Sequence, residues 1–411
     1  MKSDLDRLMQ ERDIDAFVII GSENENTDRN YLTNSAHASA TVVKKRGQEA
    51  VLIVSAMEID EAKKSGLTVY TMQDFDLFTI MQKHAGKQEE VFKEYWTNIF
   101  DKFEISGRVA FYGTASVMGT WRTLNRFQRL FGERIELVED EDPNIFSVAR
   151  RTKDAHEIEQ LREAGKRSGA AMREVREWLS QHRAEGEFVF NSDGEPLTIG
   201  DVKRYLWHKL MDYGMEDVGG TVIFSQGYDA ALPHSRGEAE QQLRLGQTII
   251  FDLFPRIMGG GYFHDMTRTW CIGYAPKEVE EAYHVVMHAF AQSLEAMTLG
   301  EPIRDIQNMV NSIFEEHGHP THNSHPGTNE GYTHSIGHGL GLDVHESPGM
   351  SGYASNESVF EAGDVVTIEP GLYYPSKEWG IRIEDTVYMS ATGEVINLTD
   401  CPYDLIVTLN G

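Results

Sequence analysis

Cysteine is nearly missing from this chain: Cys271 and Cys401 are the only two in 411 residues. Two thiols so far apart can build neither a disulfide framework nor a tetrathiolate zinc site, and they read as reduced groups, which fits the cytoplasm. Positive charge is scarce as well. With 38 Lys and Arg against 65 Asp and Glu, the formal charge is −27, so nucleic acid is not an expected partner. No apolar run reaches the roughly eighteen residues a membrane span needs. The opening segment MKSDLDRLMQERDIDAF is amphipathic and charged, without the apolar centre of an export signal. Neither a membrane nor export is expected. Motifs for nucleotide and serine chemistry are lacking too. There is no G-x-S-x-G and no P-loop, and GHGLGLD has neither the preceding strand nor the later acid of a dinucleotide fingerprint.

At 411 residues the chain exceeds the ~250–300 that one core usually serves, so two domains are expected, over 1–150 and 151–411. The first third alternates helix and strand patterns. Leu5, Leu8 and Met9 share a helical face, the runs AFVII, ATVV, AVLIV and RVAFYG read as strands, and FKEYWTNIFDKF reads as an amphipathic helix. A smaller α/β domain follows from that alternation. The polar seam DEDPNIFSVARRTKD then leads into a helix carrying Ile158, Leu161, Met172, Val175 and Leu179 at helical spacing. Residues 182–201, rich in turn formers, read as a loop or a small excursion between helices. Val279, Tyr283, Val286, Phe290 and Leu294 predict a helix ended by Gly300, and Ile303, Ile306, Val310 and Phe314 predict another that stops at Gly318.

What is present in excess is acid in a repeated setting. Gly246, five residues and then Asp252 closing an apolar run are matched by Gly363, five residues and Glu369. Thirteen residues after Asp252 comes Asp265, with Thr267 two further on; fifteen after Glu369 comes Glu384, with Thr386 two further on. Both halves carry one carboxylate hairpin, which makes the second domain an α+β domain with internal pseudo-duplication. Odd separations are compatible with two acids on the same hairpin face, with Gly259, Gly260 and Gly261 turning the first and PSKE the second. Four converging carboxylates repel, and burying them unpaired costs several kcal/mol, so cations are implied. His338, among Gly337, Gly339 and Gly341, completes a set of five with Asp252, Asp265, Glu369 and Glu384, enough for two divalent ions. Oxygen ligands with one imidazole suit manganese, cobalt, iron or zinc. Two such ions can acidify a shared water and polarise a carbonyl, which makes an amide hydrolase the natural reading.

The motifs PHSRG at His234, DLFPRIMGGGYFHDMTRT, THSIGHGLGLDVHESP, TIEPGLYY and GIRIEDT, in this order from about 220 to 390, resemble those of the creatinase, aminopeptidase P and prolidase family of pita-bread metallopeptidases. The first third is similar in size and pattern to that family's creatinase-like N-terminal domain. The resemblance implies that Asp252, Asp265, His338, Glu369 and Glu384 bind two metal ions, manganese before cobalt or zinc, with Asp265 and Glu384 bridging. It further implies that Glu369 exchanges the proton of the attacking water and that His234 and His345 contact substrate and stabilise the intermediate. His334 would line the pocket after the scissile bond, and Arg382 would support catalysis. The implied substrate is a small peptide with proline at the second position, and the implied assembly is a homodimer.

Family members restricted to dipeptides resemble one another in an arginine after the VHE motif, which receives the proline carboxylate. Residues 346–362 hold no Lys or Arg, which leaves dipeptidase and aminopeptidase P-like action both open, with Arg256, Arg382 or a residue of the N-terminal domain as the substitute cation. The other classes are a non-catalytic binding module of the same fold and a hydrolase of another small amide-like substrate. His317, His319, His322 and His325 form a histidine-rich tract that reads as a solvated loop.

Overall fold

The computed structural model describes residues 1–21, 26–113, 116–355 and 357–410. They divide into two units, Met1–Arg150 with Gly259–Gly261, and Arg151–Met258 with Tyr262–Gly411.

The first unit is built on a six-stranded mixed sheet. Its strands are β1 (Ala16–Ile19), β2 (Ala40–Lys45), β3 (Val51–Val54), β4 (Thr68–Thr71), β5 (Gly107–Tyr112) and β6 (Ile135–Leu137). They lie in the order β4-β3-β2-β1-β5-β6, and β1 runs antiparallel to β2 and parallel to β5. All four residues of β1 are buried, as its unbroken apolar run requires of a strand covered on both faces. The helix Gln88–Lys102 turns Trp96, Ile99 and Phe100 inward, and Trp96 meets Phe127 of the helix Val117–Phe131 edge to face at 4.8 Å. Periodicity did not announce β4 or β6, since β4 buries no residue fully and β6 is three residues long. The helix Val117–Phe131 is amphipathic, with Phe127 and Phe131 buried, and its stripe went unread in the sequence.

The second unit opens with the helix Ala155–Ser180. Asp154 accepts the Glu157 backbone N–H and Glu157 returns the contact, a capping box that fixes where the helix starts. Residues 182–201, expected as a loop or a small excursion between helices, form the excursion, a hairpin of Arg183–Glu185 with Phe188–Phe190, and then enter the helix Ile199–Asp212. Burial of Val189, whose N–H donates to Leu243 O, overrides the turn-forming composition. A four-stranded sheet contains the pair Thr248–Leu253 and Met266–Ile272; a five-stranded sheet contains Val365–Ile368 paired with Asp385–Met389. These are the two carboxylate hairpins, and the helices Lys277–Ala296 and Arg304–Glu316 lie between them in sequence. The first of these helices ends at Ala296, before Gly300, which instead bonds to Phe360 O in the connection; Gly318, with φ +81°, follows the cap of the second.

The turn chemistry also differs between the hairpins. Residues 375–378 close the second one compactly, with Glu378 at φ +57°. The first turns on its glycines, as expected: Arg256 bridges to Phe263, the Ile257 N–H donates to Tyr262 O, and Gly259 and Gly260 between them take φ +94° and +86°; Arg256–Ile257 pairs in addition with Met215–Glu216. No helix among the described residues is long and apolar enough to cross a membrane.

Candidate metal centre

Register alone carries the acids to one face. Asp252 pairs with Thr267 across the first hairpin, and Thr267 bridges to Glu384 of the second. Glu384 stands opposite Glu369, because the ladders on either side of them, Ile368 with Asp385 and Gly371 with Arg382, keep one register. A second row lies two residues along. Asp265 exchanges hydrogen bonds with Thr386 Oγ1, Thr386 pairs with Thr367, and the His338 N–H donates to Thr367 Oγ1 at 3.2 Å. Residues opposite one another, or two apart, project to the same side of a sheet. Paired positions in both hairpins are an odd number apart, so the separations of 13 and 15 keep each pair of acids together.

The two rows form the wall of a cavity of about 360 Å³. All five proposed ligands face it, and so do His234, His334, His345 and Arg382. Asp265, His338 and Glu384 offer ligand atoms within 4.8 Å of one another. His338 Nε2 lies 3.7 Å from Asp265 Oδ2 and 3.7 Å from Glu369 Oε1. Asp252 stands apart from the tight trio because Arg382 holds it, Nη2 to Oδ2 at 2.5 Å. The same guanidinium donates to Thr267 Oγ1 and to the Tyr373 hydroxyl. Its donors are committed to holding an acid and a strand, which is a positioning role.

Electrostatics show what the cavity is suited to hold. Burial and then the charges of Glu384, Asp252 and Glu369 push Asp265 well above the usual carboxylate range. Burial and Glu384 do the same to Glu369, and burial with Asp252 raises Glu384 to about 8. Burial, then His345, lowers His338 to about 4, so its imidazole is neutral and able to ligate. Burial and Arg382 lower His334 to about 3. Asp252 Oδ1 and Asp265 Oδ1 are buried with no hydrogen-bond partner among the described residues. Orphaned acceptors among four carboxylates and one guanidinium fit divalent cations, which supply the missing positive charge and take oxygen donors.

The close glycines act as the sequence suggests. A Cβ on Gly337 would lie 2.0 Å from Thr367 O, so only glycine lets this backbone reach the strand that carries Glu369. The His345 ring packs edge-on against His338 at 4.3 Å, and His334 Nε2 meets the Tyr373 hydroxyl at 3.0 Å. Arg256 does not line the cavity; Glu216 takes its Nε at 2.6 Å. The histidine tract is dispersed: His317 bonds to Ile313 O, His319 to the Tyr374 hydroxyl and His322 to Thr333 O. Sequence reasoning missed Ile223, Phe254 and Val344, which line the cavity, and Tyr373, which joins Arg382 to His334. Tyr373 follows the TIEPG motif at the spacing that returns a strand residue to the same face, a signal available in the sequence.

Fold and cavity together define a chain of the duplicated-hairpin class, with carboxylates and one imidazole from two sheets gathered on one cavity wall. Residues 159–391 match metallopeptidase family M24, and residues 2–163 match the creatinase/prolidase N-terminal domain. The chain belongs to metallopeptidase family M24. Curated relatives include uncharacterized peptidases of Staphylococcus aureus. That of strain MW2 is 33% identical over 199 residues, 48% of this chain and 52% of the relative, and that of strain MSSA476 is 32% identical over the same length. The chain thus spans about half the length of the curated relatives it matches. Among solved structures, an X-Pro aminopeptidase from Thermotoga maritima superimposes with a TM-score of 0.77 at 24% identity, covering 98% of this chain and 100% of that one. An Xaa-Pro dipeptidase from Bacillus anthracis gives 0.76 at 21%, covering 99% of each. The prolidase of Pyrococcus horikoshii gives 0.73 at 23%, covering 98% and 99%. At these identities the likeness is one of fold.

Proposed function

We propose that the protein hydrolyses the bond between an N-terminal residue and a following proline, as an Xaa-Pro dipeptidase or in the manner of aminopeptidase P. Asp252, Asp265, His338, Glu369 and Glu384 would hold two divalent ions, manganese before cobalt or zinc. The observation that carries the reading is the pair of register-matched rows that turns these five groups into one cavity. Bound there, the cations would supply Lewis acidity and lower the pKa of water.

The chain's own groups do the rest. Glu369, raised in pKa by burial and Glu384, is suited to take a proton from the attacking water and pass it to the leaving imino nitrogen. His234, His334 and His345 line the cavity; in this reading His234 and His345 would donate to the developing oxyanion, and His334 would border the side that receives proline. Proline offers no amide hydrogen, so its ring must be recognised by shape, and Ile223, Phe254 and Val344 supply apolar wall for it. Arg382 keeps Asp252 aimed at the cavity.

The same proposal makes the protein a cytoplasmic homodimer with two free thiols; Cys271 is buried, which pushes it up to about 12. Chelation should abolish cleavage of Ala-Pro and Ala-Pro-Ala, and manganese should restore it. Two metal equivalents on freshly purified protein are expected; a binding module of this fold would carry none. Full activity in a Glu384→Ala variant that retains both metals would contradict the assignment.

A further inference from the structure

Next to this cavity lies a second one of about 360 Å³, which shares His334 and Ser335 with the first as lining. Its chemistry is different. The carboxamides of Gln307, Asn308, Asn311 and Asn323 line it, and no Lys, Arg, Asp or Glu does so among the described residues. Gln307 is occupied as a brace: its Oε1 accepts the Ile336 N–H at 2.6 Å and its Nε2 donates to Asn311 Oδ1 at 3.3 Å. That leaves Asn311 Nδ2 without a hydrogen bond among the described residues, on a side chain only 7% exposed. The side-chain amides of Asn308 and Asn323 are likewise uncommitted among the described residues.

We infer that this second cavity is a subsite for peptide groups beyond the proline, so that the substrates are peptides of three or more residues. This rests on the proposed Xaa-Pro hydrolysis. A free carboxylate at the end of a dipeptide calls for a cation, and a free amino terminus calls for acids. Neither kind of charge lines the cavity. Uncharged carboxamides offer both a donor and an acceptor, which matches internal peptide groups. When the scissile bond precedes the second residue, the only long extension of the substrate is on its C-terminal side. The two arginines that could have received a dipeptide carboxylate are taken, Arg256 by Glu216 and Arg382 by Asp252.

The test uses the full, manganese-loaded chain with Ala-Pro and Ala-Pro-Ala-amide as substrates, and titration calorimetry with Pro-Ala-Ala-amide as a non-cleaved probe. The wild type should favour Ala-Pro-Ala-amide in kcat/KM. In Asn311→Leu the ratio of extended to dipeptide kcat/KM should fall by about threefold to tenfold, through KM, as expected for one neutral hydrogen bond. Affinity for the probe should fall by the same ratio. Asn308→Ala, on the exposed face of a helix, gives the same readings should Asn311→Leu fold poorly. Equal or better cleavage of Ala-Pro by the wild type, or a ratio that neither variant moves, overturns the inference and leaves Xaa-Pro hydrolysis standing. If no Xaa-Pro bond is cut, probe binding that both variants weaken retains the subsite and removes the proposed reaction. Absent or unaltered binding removes the subsite.

Discussion

Glu369 is the residue on which the proposed proton transfer turns. Replacing it with Gln keeps the shape and an oxygen but removes the base, so kcat should fall by roughly 10²–10⁴. Elemental analysis of the variant separates a lost proton acceptor from a lost ligand, and near-normal kcat would remove Glu369 from the mechanism. The acids also make stability depend on pH. Glu384 titrates near 8 in the folded chain against 4.5 unfolded, so its protonation favours the fold. That contribution is full below 4.5, shrinks as pH rises and is gone above about 8. His334 and His338, lowered from 6.5 to about 3 and 4, act the opposite way, and their contribution is complete above 6.5. Between pH 6.5 and 8 the histidines are therefore silent, and metal-free protein should lose thermal stability as pH rises. Thermal scans with and without manganese check this, since a bound cation should flatten the slope. Each ligand type could be picked out from the chain, because an acid or imidazole keeps its chemistry wherever it stands. That Asp252 would be held by Arg382 depends on strands 130 residues apart, and Tyr373 behind it leaves only the parity of its position as a trace.

At the level of elements, two hairpins must keep a common register, and two features enforce it. One is Gly337, where an added Cβ would press into Thr367 O at 2.0 Å. Gly337→Ala should destabilise the chain by about 1–3 kcal/mol, as overpacking does, and weaken metal binding by shifting His338; urea unfolding and metal titration measure the two effects separately. The other is Arg268, fully buried on the reverse face of the first hairpin. Its Nη1 donates to Thr267 O and to Glu384 O, tying the hairpins together, and its Nη2 lies 2.8 Å from Asp385 Oδ1. Arg268→Ala leaves Asp385 buried without its partner and should cost about 3–5 kcal/mol, read from denaturant unfolding; a loss below about 1 kcal/mol would mean that backbone pairing alone sets the register. Glycine followed by an apolar run and a carboxylate marked both hairpins in the sequence, since strand burial demands such runs. The hairpin within 182–201 and the strands β4 and β6 were not marked, because short or edge strands take their stability from neighbours rather than from their own pattern.

For the molecule as a whole, every proposed ligand belongs to the second unit. Cation binding should therefore stabilise that unit, by about 2.7 kcal/mol when free metal is a hundred times its Kd. Calorimetry on the full chain should show chelator lowering one unfolding transition while another stays in place; a single transition that moves as one would indicate that the units unfold together. Composition argues against nucleic-acid binding and a disulfide framework at this scale, through charge and cysteine count that need no fold to interpret. The amide-lined cavity had no such signal, for Gln307, Asn311 and Asn323 are ordinary helix and loop residues until the chain brings them beside His334. The sequence by itself determined the chemical inventory, the duplicated hairpins and the side of each strand on which the acids lie, because a period of two needs only counting. The tertiary structure alone decided which row meets which, which acid the buried guanidinium restrains and what lies past the imidazoles. The first two depend on pairings between segments more than a hundred residues apart, and the third on a helix folding back beside the imidazoles, which no local pattern encodes.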